Sequence, residues 1–453
     1  MLARGGSASW YETRPGHPTI GTFCATQGRA RRDAGNRVKF TNMRIAVHNP
    51  FQPGSDVVPE IWAGRTEQLS DWRDVLRPRL QAGLFERGRT VLGEPGLGKS
   101  SLVRRIAMQA ERSGDWVTPQ IRLALGTDPL KRIAAEVLKL AERAGLPAAR
   151  ENRISSLLER VQTVAASGVS LGLRDREGVE PHTALTELLV EIGHAAIRQN
   201  QVVLIHVDEV QNITDEKLLS QVLIALGDAI TREVEVTVPA VGTITRSLPI
   251  AVYLTGLPEF DDRSGARKGA TFARRFATTT LEPINDNDLR SALRPLVVTG
   301  WETPSEDGSI LAVRLAPDAA EAIVDVCRGE PFLFQLAGQR AWYAGTGNVI
   351  TRDEVLTGWR QAEQEAISHV ERILERLPQR EREFISAMAE LPPKERSQGQ
   401  IAAKAGFAKP TDAGTPSQRL DRVRGIIGRG KVYTFRHRAI EAFLTSDWPS
   451  VKQ

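Results

Sequence analysis

Gly93-Glu94-Pro95-Gly96-Leu97-Gly98-Lys99-Ser100 decides how this chain is read. Every fixed position of the pattern G-x-x-x-x-G-K-[ST] is filled, and the flanks are those the pattern needs. Arg89-Thr90-Val91-Leu92 reads as a short strand, and Ser101-Leu102-Val103-Arg104-Arg105-Ile106-Ala107 has the apolar spacing of a helix. In such a strand-loop-helix unit, Gly93, Gly96 and Gly98 let the backbone wrap its N–H groups round phosphate oxygens, while the helix turns its positive end towards them. Lys99 then meets the β- and γ-phosphates of ATP as a point charge, and the Ser100 hydroxyl holds Mg²⁺. A Gly-rich turn ending a strand would account for the glycines but not for Lys99 and Ser100. Gly93, Glu94, Pro95, Gly96, Leu97, Gly98, Lys99, Ser100 and Ser101 are therefore the nucleotide-binding candidates.

Downstream, Gln201 to Gln211 reads QVVLIHVDEVQ, a β-rich apolar run ending in Asp208 and Glu209. Continuous apolar strands belong to parallel sheets covered on both faces, and such sheets bind ligands at the carboxyl ends of their strands. Beside a phosphate loop, Asp208 suits the Mg²⁺ shell, and Glu209 suits the polarisation of an attacking water. Read alone, the pair would merely end a strand in water. His206 lies inside the strand without a Cys or His partner nearby and reads as structural. A third strand, Ile250-Ala251-Val252-Tyr253-Leu254, stops at Thr255-Gly256-Leu257-Pro258 with its end beside the first two. Thr255 is either placed to hydrogen-bond the γ-phosphate or the water, or is simply the first residue of a turn.

The chain's 453 residues, 41% hydrophobic and 25% charged, have the balance of a globular protein of two to three domains, and wholesale disorder is excluded. Cys24 and Cys327 leave no room for a disulfide framework or a Cys-rich zinc module, which points to a reducing compartment. The apolar run around Val202 to Val207 is far too short for a membrane helix. The net charge of +5 is unevenly placed. Residues 1–42 hold seven basic against two acidic residues and residues 394–453 hold twelve against five, so the body between is acidic. Residues 1–42 lack periodicity and read as a disordered basic leader, either an Arg-rich arm or transit segment or an upstream extension of a chain that starts at Met43. Without the apolar core of a secretory signal, the expected location is cytoplasmic.

The loop, the strand ending in Asp-Glu and the strand ending in a polar residue, in that order, resemble the AAA+ and STAND branch of P-loop ATPases, which includes the origin-recognition ATPases. Ile61-Trp62-Ala63-Gly64-Arg65-Thr66-Glu67 is similar to the segment that opens such ATPase domains, with the Glu one place early, and Gly329-Glu330-Pro331 is similar to the Gly-x-Pro turn of their helical lid. The resemblance runs over roughly residues 49–445. It implies that Arg65 and Pro331 lie at the nucleotide, with Pro331 packed near the base. Local readings exist for both: a loop before a helix over 67–76, and helix punctuation after a helix over 317–326. The resemblance also implies an arginine finger at Arg274 or Arg275 that reaches a neighbouring subunit's γ-phosphate, although Phe272 and Phe276 at helical spacing also read as a core stripe beside solvated arginines. The family's second-sensor arginine has no clear counterpart, which favours slow hydrolysis.

Between Lys99 and Asp208 the spacing predicts a strand over 120–123, helices over 128–144 and 151–166, and an extended piece over 168–173. From Pro378 the pattern predicts helices over 380–391, 398–405 and 416–427, then a β-like ribbon over 431–436. That is the order of a winged helix-turn-helix, and Arg419, Arg422, Arg424 and Lys431 are its candidate contacts to double-stranded DNA. The same unit used to pack on the ATPase or to bind protein is the alternative. The expected fold is α/β, a P-loop NTPase parallel sheet of ASCE/AAA+ type with a helical lid and a C-terminal winged helix-turn-helix. The ATPase domain is expected over 43–285, the lid over 286–370 and the last domain over 371–453. The expected function is a slow ATP- and Mg²⁺-dependent switch that alternates ATP and ADP and forms homo-oligomers with nucleotide. The alternatives are a DNA-binding regulator or loader assembled by ATP on DNA, and a signalling scaffold that binds no DNA.

Overall fold

The computed structural model describes residues 44–54, 57–145, 180–238, 242–264, 271–304 and 309–451. The expected leader over 1–42, the start at Met43, the helix over 151–166 and the extended piece over 168–173 lie outside the described residues.

Among the described residues, six parallel strands make the central sheet: β1 (Gly88–Leu92), β2 (Trp116–Val117), β3 (Ile121–Arg122), β4 (Val203–Asp208), β7 (Ile250–Gly256) and β8 (Phe276–Thr280). Between β4 and β7 in the chain, β5 (Glu233–Val238) and β6 (Gly242–Ser247) form a separate antiparallel hairpin that the sequence reading did not anticipate. The spatial order is β2-β4-β7-β1-β8, with β3 also on β4. Trp116 pairs with Val203 and Ile121 with Val207, so β2 and β3 act as one interrupted edge strand. The strand carrying Thr255 therefore stands between the loop strand and the strand ending in Asp208.

Both β4 and β7 are buried along their whole length, which is why each is a continuous apolar run. Helices Pro129–Arg143, Pro181–Gln199 and Glu216–Thr231 cover one face, burying Ile133, Leu188 and Leu226. The helix Lys99–Arg112 and the helical stretch 66–81 cover the other, burying Leu102, Val103 and Trp72. Each such side chain contributes about 1.5–3 kcal/mol of apolar burial. Pro129–Arg143 begins cleanly because the Asp128 carboxylate accepts from Leu130 N at 3.0 Å and Lys131 N at 3.2 Å, with Pro129 at the first helical position.

Beyond the sheet, helices Asp286–Val298, Pro317–Cys327, Pro331–Tyr343 and Arg352–Glu375 pack with a small sheet of β9 (Trp301–Pro304), β10 (Ile310–Leu315) and β11 (Val349–Ile350). Helices Gln379–Ala389, Gln398–Lys404 and Gly414–Arg422 follow, then β12 (Ile427–Gly428) paired with β13 (Thr434–Phe435), then helix Arg438–Thr445. The third of these helices stops at Arg422, short of the expected 427, because Gly425 turns the chain at φ 67° and Ile427 starts the ribbon. Lys431, Val432 and Tyr433 consequently lie in the connection between the two strands rather than on one. One apolar core holds Trp342 and Trp359 together with Phe384, Ile401, Ile440 and Trp448. The Trp359 indole donates to Pro449 O at 2.8 Å and the Trp448 indole to Val326 O at 3.0 Å. The boundary expected at 371 thus falls inside a continuous core.

Candidate functional site

The loop after β1 turns at Gly96 (φ 83°) and Gly98 (φ 80°) and delivers the N-terminus of helix Lys99–Arg112 to a cavity of about 1180 Å³. Residues 95–101 line it, together with Arg65, Glu209 and Pro331. Lys99 spans the loop, its Nζ donating to Gly93 O at 2.9 Å and Glu94 O at 3.1 Å. Burial lowers the pKa of this ammonium, opposed by Glu94, Glu209 and Asp208.

Ser100 Oγ donates to Asp208 Oδ2 at 3.0 Å, joining loop and acidic strand across 108 positions of sequence. The same oxygen accepts from Gln120 Nε2 at 2.5 Å, while Oδ1 accepts from Glu209 N at 2.9 Å and from the Thr255 hydroxyl. Burial opposes the charge on Asp208, yet His206 and the donors Thr255, Gln120 and Ser100 hold its carboxyl below the ordinary range. Burial pushes His206 down to about 4 against the pull of Asp208, so its imidazole is neutral near pH 7. A hydroxyl beside a carboxylate is a hard oxygen pair that suits Mg²⁺, and among the described residues no cluster of three or more His, Cys, Asp or Glu forms a closed metal cage. Ser100 and Asp208 therefore fit a cation that takes most of its ligands from phosphate and water.

Glu209 sits at φ 60°, ψ 40°, a left-handed backbone that costs a glutamate about 1–3 kcal/mol, and its side chain lines the cavity and accepts from Gln211 Nε2. Thr255 is different. It is fully buried, does not line the cavity and its hydroxyl donates a hydrogen bond to Asp208. The expectation that Thr255 faces the γ-phosphate is corrected accordingly.

Three segments close the cavity. Arg65, at φ 62°, donates to Leu97 O at 3.0 Å, and burial lowers its pKa to about 10 against the pull of Glu330, Glu282 and Asp288. The entry segment is pinned to helix Pro331–Tyr343 because Gln335 donates to Ile61 O at 2.8 Å and accepts from Gln52 N at 3.0 Å. Phe332 N donates to Gly96 O at 3.2 Å, and a Cβ on Gly96 would overlap the His369 ring, so the lid rests directly on the loop. Arg372 and Arg376, one helical turn apart, also line the cavity.

Arg376 and the C-terminal arginines reach the loop through its second residue. The Glu94 carboxylate, fully buried, meets Arg376 at 3.1 Å and Arg424 at 3.2 Å. Burial raises the pKa of Glu94 and the two arginines oppose this. Arg424 also meets Glu381 at 2.7 Å, and Arg419 meets Glu381 at 2.7 Å and Asp262. Two of the four expected DNA contacts are therefore reassigned: Arg424 is buried, Arg419 is half-buried, and both are paired with acidic residues of the body. Arg422 and Lys431 are exposed. Within the Gly-x-Pro turn, Glu330 is fully buried 3.0 Å from His437 and 3.5 Å from His369. Burial works against its charge, but the two histidines hold it at about 2.

Arg274 and Arg275 are not brought to this chain's own loop. Phe276, immediately after them, pairs with Gly88 at the start of β1, so they lie at the opposite end of the sheet from the loop that follows Leu92. Arg274 is exposed and Arg275 is paired with Asp228.

The sequence reading missed Gln120, set His206 aside and did not foresee His369, Arg372 or Arg376. The period of two along β4 was a usable signal for His206, since it puts His206 and Asp208 on one face. The four-residue spacing of Arg372 and Arg376 marks one face of a helix in the same way.

No family model matches the sequence, and no curated protein matches it. The structure is similar to that of the Aeropyrum pernix ORC2 protein solved in ADPNP-ADP complexes, with 16% identity, a TM-score of 0.49, and 86% of this chain and 94% of that one covered. It is similar to the Walker-type ATPase of Pyrococcus abyssi, with 13% identity, a TM-score of 0.48, and 84% and 96% covered. Drosophila ORC bound to DNA gives 13% identity and a TM-score of 0.41, with 93% and 95% covered. Among the described residues, no helix is long and apolar enough to cross a membrane.

Proposed function

We propose that this chain is a P-loop ATPase of AAA+ type that binds ATP with Mg²⁺, hydrolyses it slowly and works as a nucleotide-dependent switch. The observation that carries the reading is the Ser100–Asp208 hydrogen bond, which joins a complete phosphate loop to the acidic strand end, with Glu209 lining the same cavity. The loop's N–H groups and the positive end of the following helix bind the phosphates, and Lys99 exchanges its loop carbonyls for phosphate oxygens. Mg²⁺, held by Ser100 and Asp208, would neutralise charge on the phosphates. Glu209 would accept the proton of the attacking water. Phe332 on Gly96 and Gln335 on the entry segment hold the lid at the cavity, where Pro331 would pack near the base. Arg65 anchors the entry segment to the loop.

A C-terminal unit whose helices and ribbon follow the order of a winged helix is docked on the loop through Arg424 and on the body through Arg419. This favours a switch that the C-terminal unit reads from the ATPase. The DNA-binding reading retains Arg422 and Lys431 as its surface residues. Titration with a fluorescent ATP analogue tests the main reading. Lys99→Ala should abolish binding, and Glu209→Gln should bind but not turn over. Unchanged affinity in Lys99→Ala defeats the site, and duplex DNA binding that is lost on replacing Arg422 and Lys431 would favour the DNA reading.

A further inference from the structure

We infer that Thr255, His206 and Gln120 are positioning residues that fix the carboxylate of Asp208 for a divalent cation; this rests on the nucleotide reading above. Thr255 has no exposed surface, its Oγ1 lies 2.9 Å from His206 Nε2, and its hydroxyl donates to Asp208 Oδ1. A hydroxyl carries one proton. Once that proton points at Asp208, Thr255 can only accept from His206, which places a proton on Nε2 and fixes the orientation of the ring. The His206 main chain is anchored as well, its N–H donating to Thr118 Oγ1 at 3.3 Å. Strand geometry supplies the alignment: His206 and Asp208 share a face of β4, and Thr255 lies on the neighbouring β7.

The other oxygen is held from the sheet edge, where Gln120 Nε2 lies 2.5 Å from Asp208 Oδ2 and Ser100 Oγ lies 3.0 Å from it. With Thr255 and Glu209 N on Oδ1, each oxygen has two donors and the carboxylate cannot rotate. Of the side-chain donors only Ser100 lines the cavity, so Thr255 and Gln120 keep the carboxylate in place independently of what Ser100 meets. A loop-facing sensor would need a hydroxyl open to the cavity, and Thr255 has none.

Removing such outer partners costs metal sites about 10–100-fold in affinity. The test is Mn²⁺ binding to the full chain with ADP, read by electron paramagnetic resonance, alongside ADP affinity measured in EDTA. Thr255→Val and His206→Leu should weaken Mn²⁺ about 10–100-fold and leave metal-free ADP affinity unchanged. Thr255→Ser, which keeps the hydroxyl, and His206→Gln, which returns an N–H near the Nε2 position, should bind Mn²⁺ as the wild type does. Gln120→Leu is half-buried at the sheet edge and supplies the same readout if the buried substitutions fail to fold. Wild-type Mn²⁺ affinity in Thr255→Val and Gln120→Leu overturns the inference, as does a wild-type protein that binds ADP but not Mn²⁺. A wild-type protein that binds neither overturns the nucleotide reading as well.

Discussion

Replacing Arg424 with methionine removes a guanidinium that is 3% exposed and lies 3.2 Å from Glu94, 2.7 Å from Glu381 and 3.6 Å from Glu259. The alkyl stem is largely preserved, so the effect isolates the charge. Three carboxylates lose a counter-ion, but Glu94 keeps Arg376 at 3.1 Å and Glu381 keeps Arg419 at 2.7 Å. Breaking a buried pair from one side costs about 3–5 kcal/mol, and the retained partners place Arg424→Met at the lower end, near 3. That is roughly a hundredfold in the folding equilibrium. Urea unfolding followed by circular dichroism, with Arg424→Met, Glu94→Gln and the double variant, measures it. Glu94→Gln removes the charge that Arg424→Met strands, so the double variant should lose less than the sum of the singles, by about 0.5–3 kcal/mol. ATP affinity should also fall in Arg424→Met, because the main-chain oxygen of Glu94 holds Lys99 at 3.1 Å. A loss of no more than about 0.5 kcal/mol, the scale of an ordinary surface change, with additive singles, would refute the buried network.

Gly96→Ala should weaken ATP binding by about tenfold or more, since φ 83° costs a side chain about 1–2 kcal/mol and the new Cβ overlaps His369; His369→Ala should restore part of the loss, and wild-type affinity in Gly96→Ala would remove the lid contact from the argument. Glu330, held at about 2 against an ordinary 4.5, contributes stability that is present above 4.5 and lost as pH falls towards 2, up to about 3 kcal/mol at 1.36 per unit. His437, raised by the same pairing against the effect of burial, contributes below 6.5 and loses its share as pH rises through its folded value. The gap in urea midpoint between wild type and Glu330→Gln should thus be widest between those two ordinary values, and a gap constant from about pH 3 to about pH 8 would contradict the pairing. Glu209→Gly should end turnover yet raise stability by about 1 kcal/mol through relief of a left-handed glutamate, and an unchanged urea midpoint would show that no strain is stored there.

The parts of the site that local pattern encodes were legible in the sequence. The strand, turn and helix over 88–112 declare themselves because the glycines and the apolar periods that set them act within a few positions, and β4 and β7 declare themselves because strands covered on both faces are largely apolar. What was not legible depends on pairings distant in sequence. Thr255 ends its strand as a polar residue should, but only the packing of β7 against β4 shows that its hydroxyl is spent on Asp208. Arg424 stands in a basic stretch and reads as a phosphate contact, whereas its partner Glu94 is 330 positions away. The misplaced ribbon has a local cause, Gly425, but a lone glycine inside an Arg-rich helical pattern does not announce a left-handed turn.

The two buried carboxylates beside the cavity are both met from the C-terminal region: Glu94 in the loop by Arg424, and Glu330 in the lid turn by His437. Any displacement of that region takes one partner from each carboxylate, leaving Glu94 with Arg376 at 3.1 Å and Glu330 with His369 at 3.5 Å, and weakening the pairing of a buried charge is costly. The loop and the lid turn touch each other as well, through Phe332 and Gly96. A shift of the loop, such as the proposed switch requires, would therefore act on Glu94 and on the lid together, and the C-terminal region is coupled to both. Such coupling favours a small number of discrete arrangements over a continuous drift, because partial separation leaves each buried carboxylate short of one partner with no water in its place.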